Sequence, residues 1–268
     1  PAALDAITRG RTGAPQEAEL LAHELFLWQT TCTWQGYDEL VDQLADWARQ
    51  GTREISPLLL HSIPTIGMRE QRLAADAMTR RNWGTVAQAR PRGTPYLPAN
   101  PRKIRLGYLS ADYYEHPVGR LILGLIAHQD RTRFEVIAYS LGTQQEDVFS
   151  ARLRAAADGW VDLSQLSDQA AARRIAEDRI EILIDLGGHT GDSRLGIASE
   201  RPAPVQVLYL GQSGTVGGGL LDYFITDRIA DLLEDATKAE GTEGSARLGL
   251  GVCTGLDLLD DEGAGHDQ

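Results

Sequence analysis

The chain has 268 residues, enough for about two domains, and its 42% hydrophobic and 24% charged composition is that of a globular protein. No run of about 18 apolar residues is present, so no membrane span is expected. The net charge of −12 argues against binding a phosphate backbone, which calls for clustered lysine and arginine. Cys32 and Cys253 show neither metal-site nor disulfide spacing, and a reducing cytoplasm is the expected location. The start Pro-Ala-Ala-Leu-Asp lacks a basic n-region and an initiator Met, and reads as a cut or processed end.

Residues 1–90 read as a helical region. Leu40, Val41, Leu44, Trp47 and Ala48 form one stripe of a 3.6-residue period, and Leu21, Leu25 and Trp28 form another. Gly36 breaks the pattern between them. Paired antiparallel helices follow a tetratricopeptide-like (TPR-like) plan, although no 34-residue repeat is visible. Trp28, Trp34 and Trp47 are expected to pack between the helices. Pro57 and Pro64 interrupt helix, and another helix is expected over Met68–Met78. A linker, residues 91–102, follows, with Pro91, Pro95, Pro98 and Pro101.

From residue 103 the rhythm changes. Apolar, β-rich runs near 104–109, 134–140, 159–163, 180–186, 205–210 and 222–226 alternate with helical patterns at 121–126 and 170–175. That alternation predicts the α/β class, with parallel strands in a Rossmann-like doubly wound sheet over residues 103–228. Unbroken apolar strands such as Ile182–Ile184 fit a sheet covered on both faces. Residues 229–268 hold ten acids against Lys238 and Arg247, with many glycines, and read as a disordered tail after one short helix near 229–239.

Ligands of open α/β sheets bind beyond the carboxyl ends of the strands. The loop after the first strand, residues 110–120, stands there and brings together Asp112, His116 and Arg120. Pro117 suits the first turn of a helix, which sets His116 at the helix entrance. An imidazole there is suited to taking a proton from a hydroxyl, with Asp112 orienting the ring; capping the helix or meeting solvent is the alternative. The fourth strand runs into Asp185-Leu186-Gly187-Gly188-His189-Thr190, where the glycines let backbone amides approach a ligand or simply make a turn. No G-x-G-x-x-G follows the first strand, which excludes the dinucleotide fingerprint. Ser193 has neither a glycine elbow nor an evident base, so a hydrolase is excluded. His23, His61 and His128 are scattered, without metal spacing.

Three strings carry a resemblance: Asp112-x-x-x-His116-Pro117, the segment Arg201-Pro202-Ala203-Pro204-Val205-Gln206, and Leu210-Gly211 with Thr215 beyond. With the strand order around them, they resemble the first half of the catalytic region of the protein O-GlcNAc transferases and SPINDLY-type glycosyltransferases. The resemblance spans about residues 18–227. It implies the first half of a GT-B fold, preceded by TPR-like helices. The implied activity is inverting transfer of N-acetylglucosamine from UDP-GlcNAc to Ser or Thr of proteins, without a metal or other cofactor. It implies catalytic roles for His116 and Asp112. Pro117, Val118, Leu210, Gly211 and Thr215 would bind the protein or peptide acceptor. The chain departs from the family at Arg120, where a second histidine is frequent, at His189, where tyrosine is usual, and at Gln212-Ser213-Gly214, which lacks an aromatic and a proline. A second Rossmann domain binds the nucleotide sugar in the family. The acidic tail offers nothing comparable, so a truncated or frame-altered gene is expected. A catalytically inactive peptide-binding module, a SPINDLY-like O-fucosyltransferase using GDP-fucose, and an unrelated nucleotide-binding α/β protein are the alternatives.

Overall fold

The computed structural model describes residues 2–14, 16–51, 53–84, 103–142, 147–212 and 214–226. The Pro-rich linker at 91–102 and the acidic tail at 229–268 lie outside the described residues. The first part is helical: α1 (Ala2–Gly13), α2 (Ala18–Thr30), α3 (Tyr37–Gln50), α4 (Pro57–His61) and α5 (Met68–Trp83). The α3 stripe does what its period requires, burying Val41, Leu44, Ala45, Trp47 and Ala48 on one face. They join Leu21 and Leu25 of α2, Leu60 of α4 and Ala74 of α5 in one core. Gly51 ends α3 in a left-handed conformation, its amide donating to the Trp47 and Ala48 carbonyls.

Two expectations for this region are corrected. Pro57 does not exclude helix, because it occupies the first turn of α4, where no amide partner is needed. Trp34 is not core: it is 58% exposed and stacks edge-on against Tyr37. Trp47 is buried, and Trp28 packs partly buried on the same core.

The second part is one six-stranded sheet, ordered β3-β2-β1-β4-β5-β6. The strands are β1 (Ile104–Ser110), β2 (Phe134–Ser140), β3 (Gly159–Asp162), β4 (Ile182–Asp185), β5 (Val205–Tyr209) and β6 (Tyr223–Ile225). All five pairings are parallel. Helices α6 (Pro117–Ala127), α7 (Val148–Ala156), α8 (Asp168–Glu177) and α9 (Leu195–Ser199) connect them. Successive side chains of a strand point to opposite faces, and here both faces are buried. Leu106, Tyr108, Val136, Ala138 and Ile184 pack with Ile122 and Ile126 of α6 and Leu153 of α7. Leu109, Ile137, Tyr139 and Leu183 pack on the other side with Ala171, Ala172 and Ile175 of α8 and Ile197 of α9. The sheet is therefore doubly wound.

Strand order reverses at β1: the chain moves outward to β2 and β3, then returns through α8 to β4 on the other side. Connections leave this point in opposite directions, so no helix covers the ends of β1 and β4 and a crevice opens there.

Orientation of α6 fixes the loop that lines this crevice, and two substitutions check it. Ile122→Ala, at a fully buried position, is expected to lose about 3 kcal/mol in urea unfolding. Leu121→Ala, at a position 62% exposed, should stay within about 0.5 kcal/mol of the parent.

Candidate functional site

A cavity of about 380 Å³ occupies the crevice at the carboxyl ends of β1, β4 and β5. The β1–α6 loop contributes Asp112, Tyr114 and His116, and the first turn of α6 contributes Val118. Asp185 ends β4, the β4–α9 loop contributes Gly187, Thr190, Asp192 and Ser193, and Gly211 follows β5.

The β1–α6 loop is held against the sheet by small contacts. Gly119, in the first turn of α6, lies so close to the loop that a Cβ would sit 2.2 Å from the Tyr114 carbonyl oxygen and 2.7 Å from that of Asp112. Only glycine permits that approach. Ser110 Oγ accepts from the Asp112 amide at 3.0 Å, fixing the start of the loop. His116 is the N-cap of α6, and its Nδ1 accepts from the Val118 amide at 3.3 Å. It also faces the cavity, so the capping reading and the site reading are both true of one ring.

The cap has a chemical consequence. Because Nδ1 accepts a hydrogen bond, the neutral ring carries its proton on Nε2 and offers an N–H there. Asp112 Oδ2 stands 3.7 Å from Nδ1, beyond hydrogen-bond reach, so it does not orient the neutral ring directly. It would pair with the ring only after Nδ1 gained a proton and gave up the cap. Burial raises the Asp112 carboxyl above its ordinary value; His116 offsets this in part and Asp192 adds to it.

Asp185 was not expected among the site residues. It is 1% exposed at the end of β4, and burial pushes its carboxyl up to about 6. Its Oδ1 accepts from the amides of Gly187 at 3.0 Å and Gly188 at 2.6 Å, which lower it in part. Of the two readings of this loop, a turn or amides facing a ligand, the described structure has the turn, with both amides directed inward onto Asp185. The signal for Asp185 in the sequence is an acid ending an otherwise apolar strand.

The expected acceptor residues divide. Val118 and Gly211 line the cavity. A Cβ at Gly211 would fall 1.7 Å from the Leu186 carbonyl oxygen, so β5 and the β4 loop meet without room for a side chain. Leu210 adopts φ 75°, a conformation rare for a branched residue, and packs against the sheet core. Pro117 is exposed and does not line the cavity. Thr215 is exposed too; its Oγ1 accepts from Gly217 N at 3.1 Å, which folds the turn on itself away from the cavity. Arg120 points out to Glu115. His189 turns from the cavity toward the β5–β6 loop, its Nε2–H donating to the Val216 carbonyl at 2.9 Å. Ser193 Oγ is buried, with no hydrogen-bond partner among the described residues.

Such an arrangement defines a doubly wound α/β enzyme domain whose polar groups gather at the switch point of the sheet. The sequence profile of glycosyl transferase family 41 matches residues 88–242, more than half of the chain. This chain belongs to that glycosyltransferase family. It is similar to the UDP-N-acetylglucosamine–peptide N-acetylglucosaminyltransferase of Caenorhabditis elegans, at 38% identity over 135 residues that make up 50% of this chain and 12% of that protein. It is also similar to the probable UDP-N-acetylglucosamine–peptide N-acetylglucosaminyltransferase SPINDLY of Arabidopsis thaliana, at 34% identity over 174 residues, 63% of this chain and 19% of that protein. A point mutant of the Thermobaculum terrenum O-GlcNAc transferase matches in structure with a TM-score of 0.64 and 29% identity, over 84% of this chain and 43% of that one. The chain thus spans less than a fifth of these curated relatives.

Asp185 yields a pH prediction. Its raised value means that, between about pH 4 and 6, the folded chain holds more protons than the unfolded one, so stability falls as pH rises through this window. Asp185→Asn keeps an acceptor for both glycine amides and removes the buried charge. It should be more stable than the parent by on the order of 2–3 kcal/mol at pH 8, with the difference gone below about pH 4. Urea midpoints across that range check this; a variant less stable at pH 8 would contradict it.

Proposed function

We propose that this chain is the acceptor side of a protein O-glycosyltransferase that moves N-acetylglucosamine from UDP-GlcNAc to Ser or Thr of polypeptides, with inversion. The observation that carries this reading is the character of the cavity wall. Three carboxylates (Asp112, Asp185 and Asp192) and His116 line it, and none of its described lining residues is a lysine or arginine. Such a wall repels a diphosphate and accepts hydrogen bonds from hydroxyls. It suits an alcohol and the sugar it receives, while the diphosphate is left to groups outside this cavity.

In the proposed step the acceptor oxygen attacks the anomeric carbon and forms the new C–O bond. The bond from that carbon to the phosphate oxygen breaks, and UDP leaves with the electron pair. The hydroxyl proton passes to Asp112, whose burial raises its affinity for a proton. His116 supplies an N–H from Nε2 and holds the loop through its cap. Gly211 and Val118 shape the wall against which the acceptor lies.

Among the described residues no three His, Cys, Asp or Glu side chains are grouped to hold a metal ion. We propose that the transfer runs without a metal. Among the described residues no helix is long and apolar enough to cross a membrane, and Cys32 is a free thiol. A reducing cytoplasm is the proposed location.

Transfer of label from UDP-GlcNAc to polypeptides tests the reading. His116→Asn keeps a capping acceptor, so its unfolding midpoint should stay within about 0.5 kcal/mol of the parent while transfer falls at least about a hundredfold. Asp112→Asn should cut transfer by a similar factor, and unchanged transfer in it would remove Asp112 as the base. Label passing only from GDP-fucose would give the SPINDLY-like reading. Peptide binding without transfer from either donor would make the chain a binding module.

A further inference from the structure

The helical region and the cavity meet at one carbonyl. Thr79 of α5 is fully buried, and its Oγ1 donates to the Val216 oxygen at 2.8 Å. From the other side His189 Nε2 donates to the same oxygen at 2.9 Å. Both lone pairs of that carbonyl are therefore used, one by a helix outside the α/β domain and one by the loop that walls the cavity.

The surroundings leave little slack. Gly218 N donates to Asp76 Oδ1 of α5 at 2.7 Å. A Cβ at Gly217 would sit 2.4 Å from the Ala75 carbonyl carbon, so the β5–β6 loop lies flush on α5. Trp83, at the end of α5, packs on Leu195, Leu208, Val216 and Leu220. On the cavity side the His189 amide donates to Gln212 Oε1. Gln212 is 4% exposed and adjoins Gly211; a Cβ at Gly188 would lie 2.3 Å from its Oε1. The path from α5 to the cavity is thus Thr79, Val216, His189, and then the Gly187–Gly188 turn and Gly211.

We infer that Thr79 and His189 are positioning residues, through which α5 sets the glycine wall of the cavity. A displacement of α5 strips one donor from Val216 and shifts the carbonyl that His189 holds. The ring cannot follow without moving its own backbone, whose amide is tied to Gln212. A shift of α5 is thereby felt at Gly187 and Gly211, which line the cavity. The functional half of this inference rests on the reading of the cavity as the transfer site; the mechanical half does not.

Amide hydrogen exchange on the full chain separates the two. Thr79→Val keeps shape and removes the hydroxyl, and should raise exchange at 187–190 and 211–212 about tenfold, the opening expected when one buried hydrogen bond is lost, with β1 and β2 unchanged. Thr79→Ser should restore the parent rates. Exchange that changes only in α5 and 214–220 would overturn the coupling. Should the valine variant loosen the whole sheet, the serine variant decides: restored rates at 187–190 support the shared carbonyl, and rates like those of the valine variant overturn it. In the transfer assay the valine variant should lower kcat with KM unchanged. Raised exchange at 187–190 with unchanged transfer would leave the coupling standing and remove the cavity from the reaction.

Discussion

The bond from the Val118 amide to His116 Nδ1 is the contact on which the site depends. It caps α6, and α6 carries the loop that forms one wall of the cavity. By using the lone pair of Nδ1 it also decides what the ring can offer: a donor at Nε2 while neutral, a second donor only when charged and uncapped. The histidine that reads as a proton acceptor in the sequence is, in this setting, also a structural anchor, with its Nδ1 lone pair on the Val118 amide. In the proposed step the acceptor's task falls to a carboxylate, and Asp112 stands beside the ring with its proton affinity raised by burial.

In the proposed reading the electrostatics of the cavity separate two halves of a glycosyl transfer. Charged phosphates need cations or aligned amides, and here the Gly187 and Gly188 amides are already spent on Asp185. Hydroxyls need acceptors, and the wall is rich in them. This division of labour is compatible with a chain that covers 43% of a solved O-GlcNAc transferase. It also accounts for a buried acid at the end of β4: Asp185 costs stability when ionised, yet it pins the glycine turn that closes the cavity.

Most of the fold was legible because its signals are local. Six apolar runs between helical patterns became six parallel strands, and Ile182–Ile184 alternates between two buried faces, as an unbroken apolar strand implies. One short signal was missed: α4 is five residues long and opens on a proline. At the site, His116 and Asp112 were readable because they are neighbours in sequence. Asp185, Thr79 and the inward turn of the Gly187 and Gly188 amides were not, because each acquires its partner only when separate segments close on one another. Thr79 finds Val216 across 137 positions of chain, and no periodicity announces such a contact.

His116 and His189 show how the same side chain serves differently according to its neighbours. One caps a helix with a ring acceptor; the other, more deeply buried and held below its ordinary proton affinity, donates to a carbonyl. The nitrogen NMR spectrum of His116 in the intact chain near neutral pH tests the central claim most directly. A cap accepted by the ring predicts an unprotonated, pyridine-like signal for Nδ1 and a protonated signal for Nε2. A proton found on Nδ1 of the neutral ring would contradict it, returning His116 to a general base oriented by Asp112.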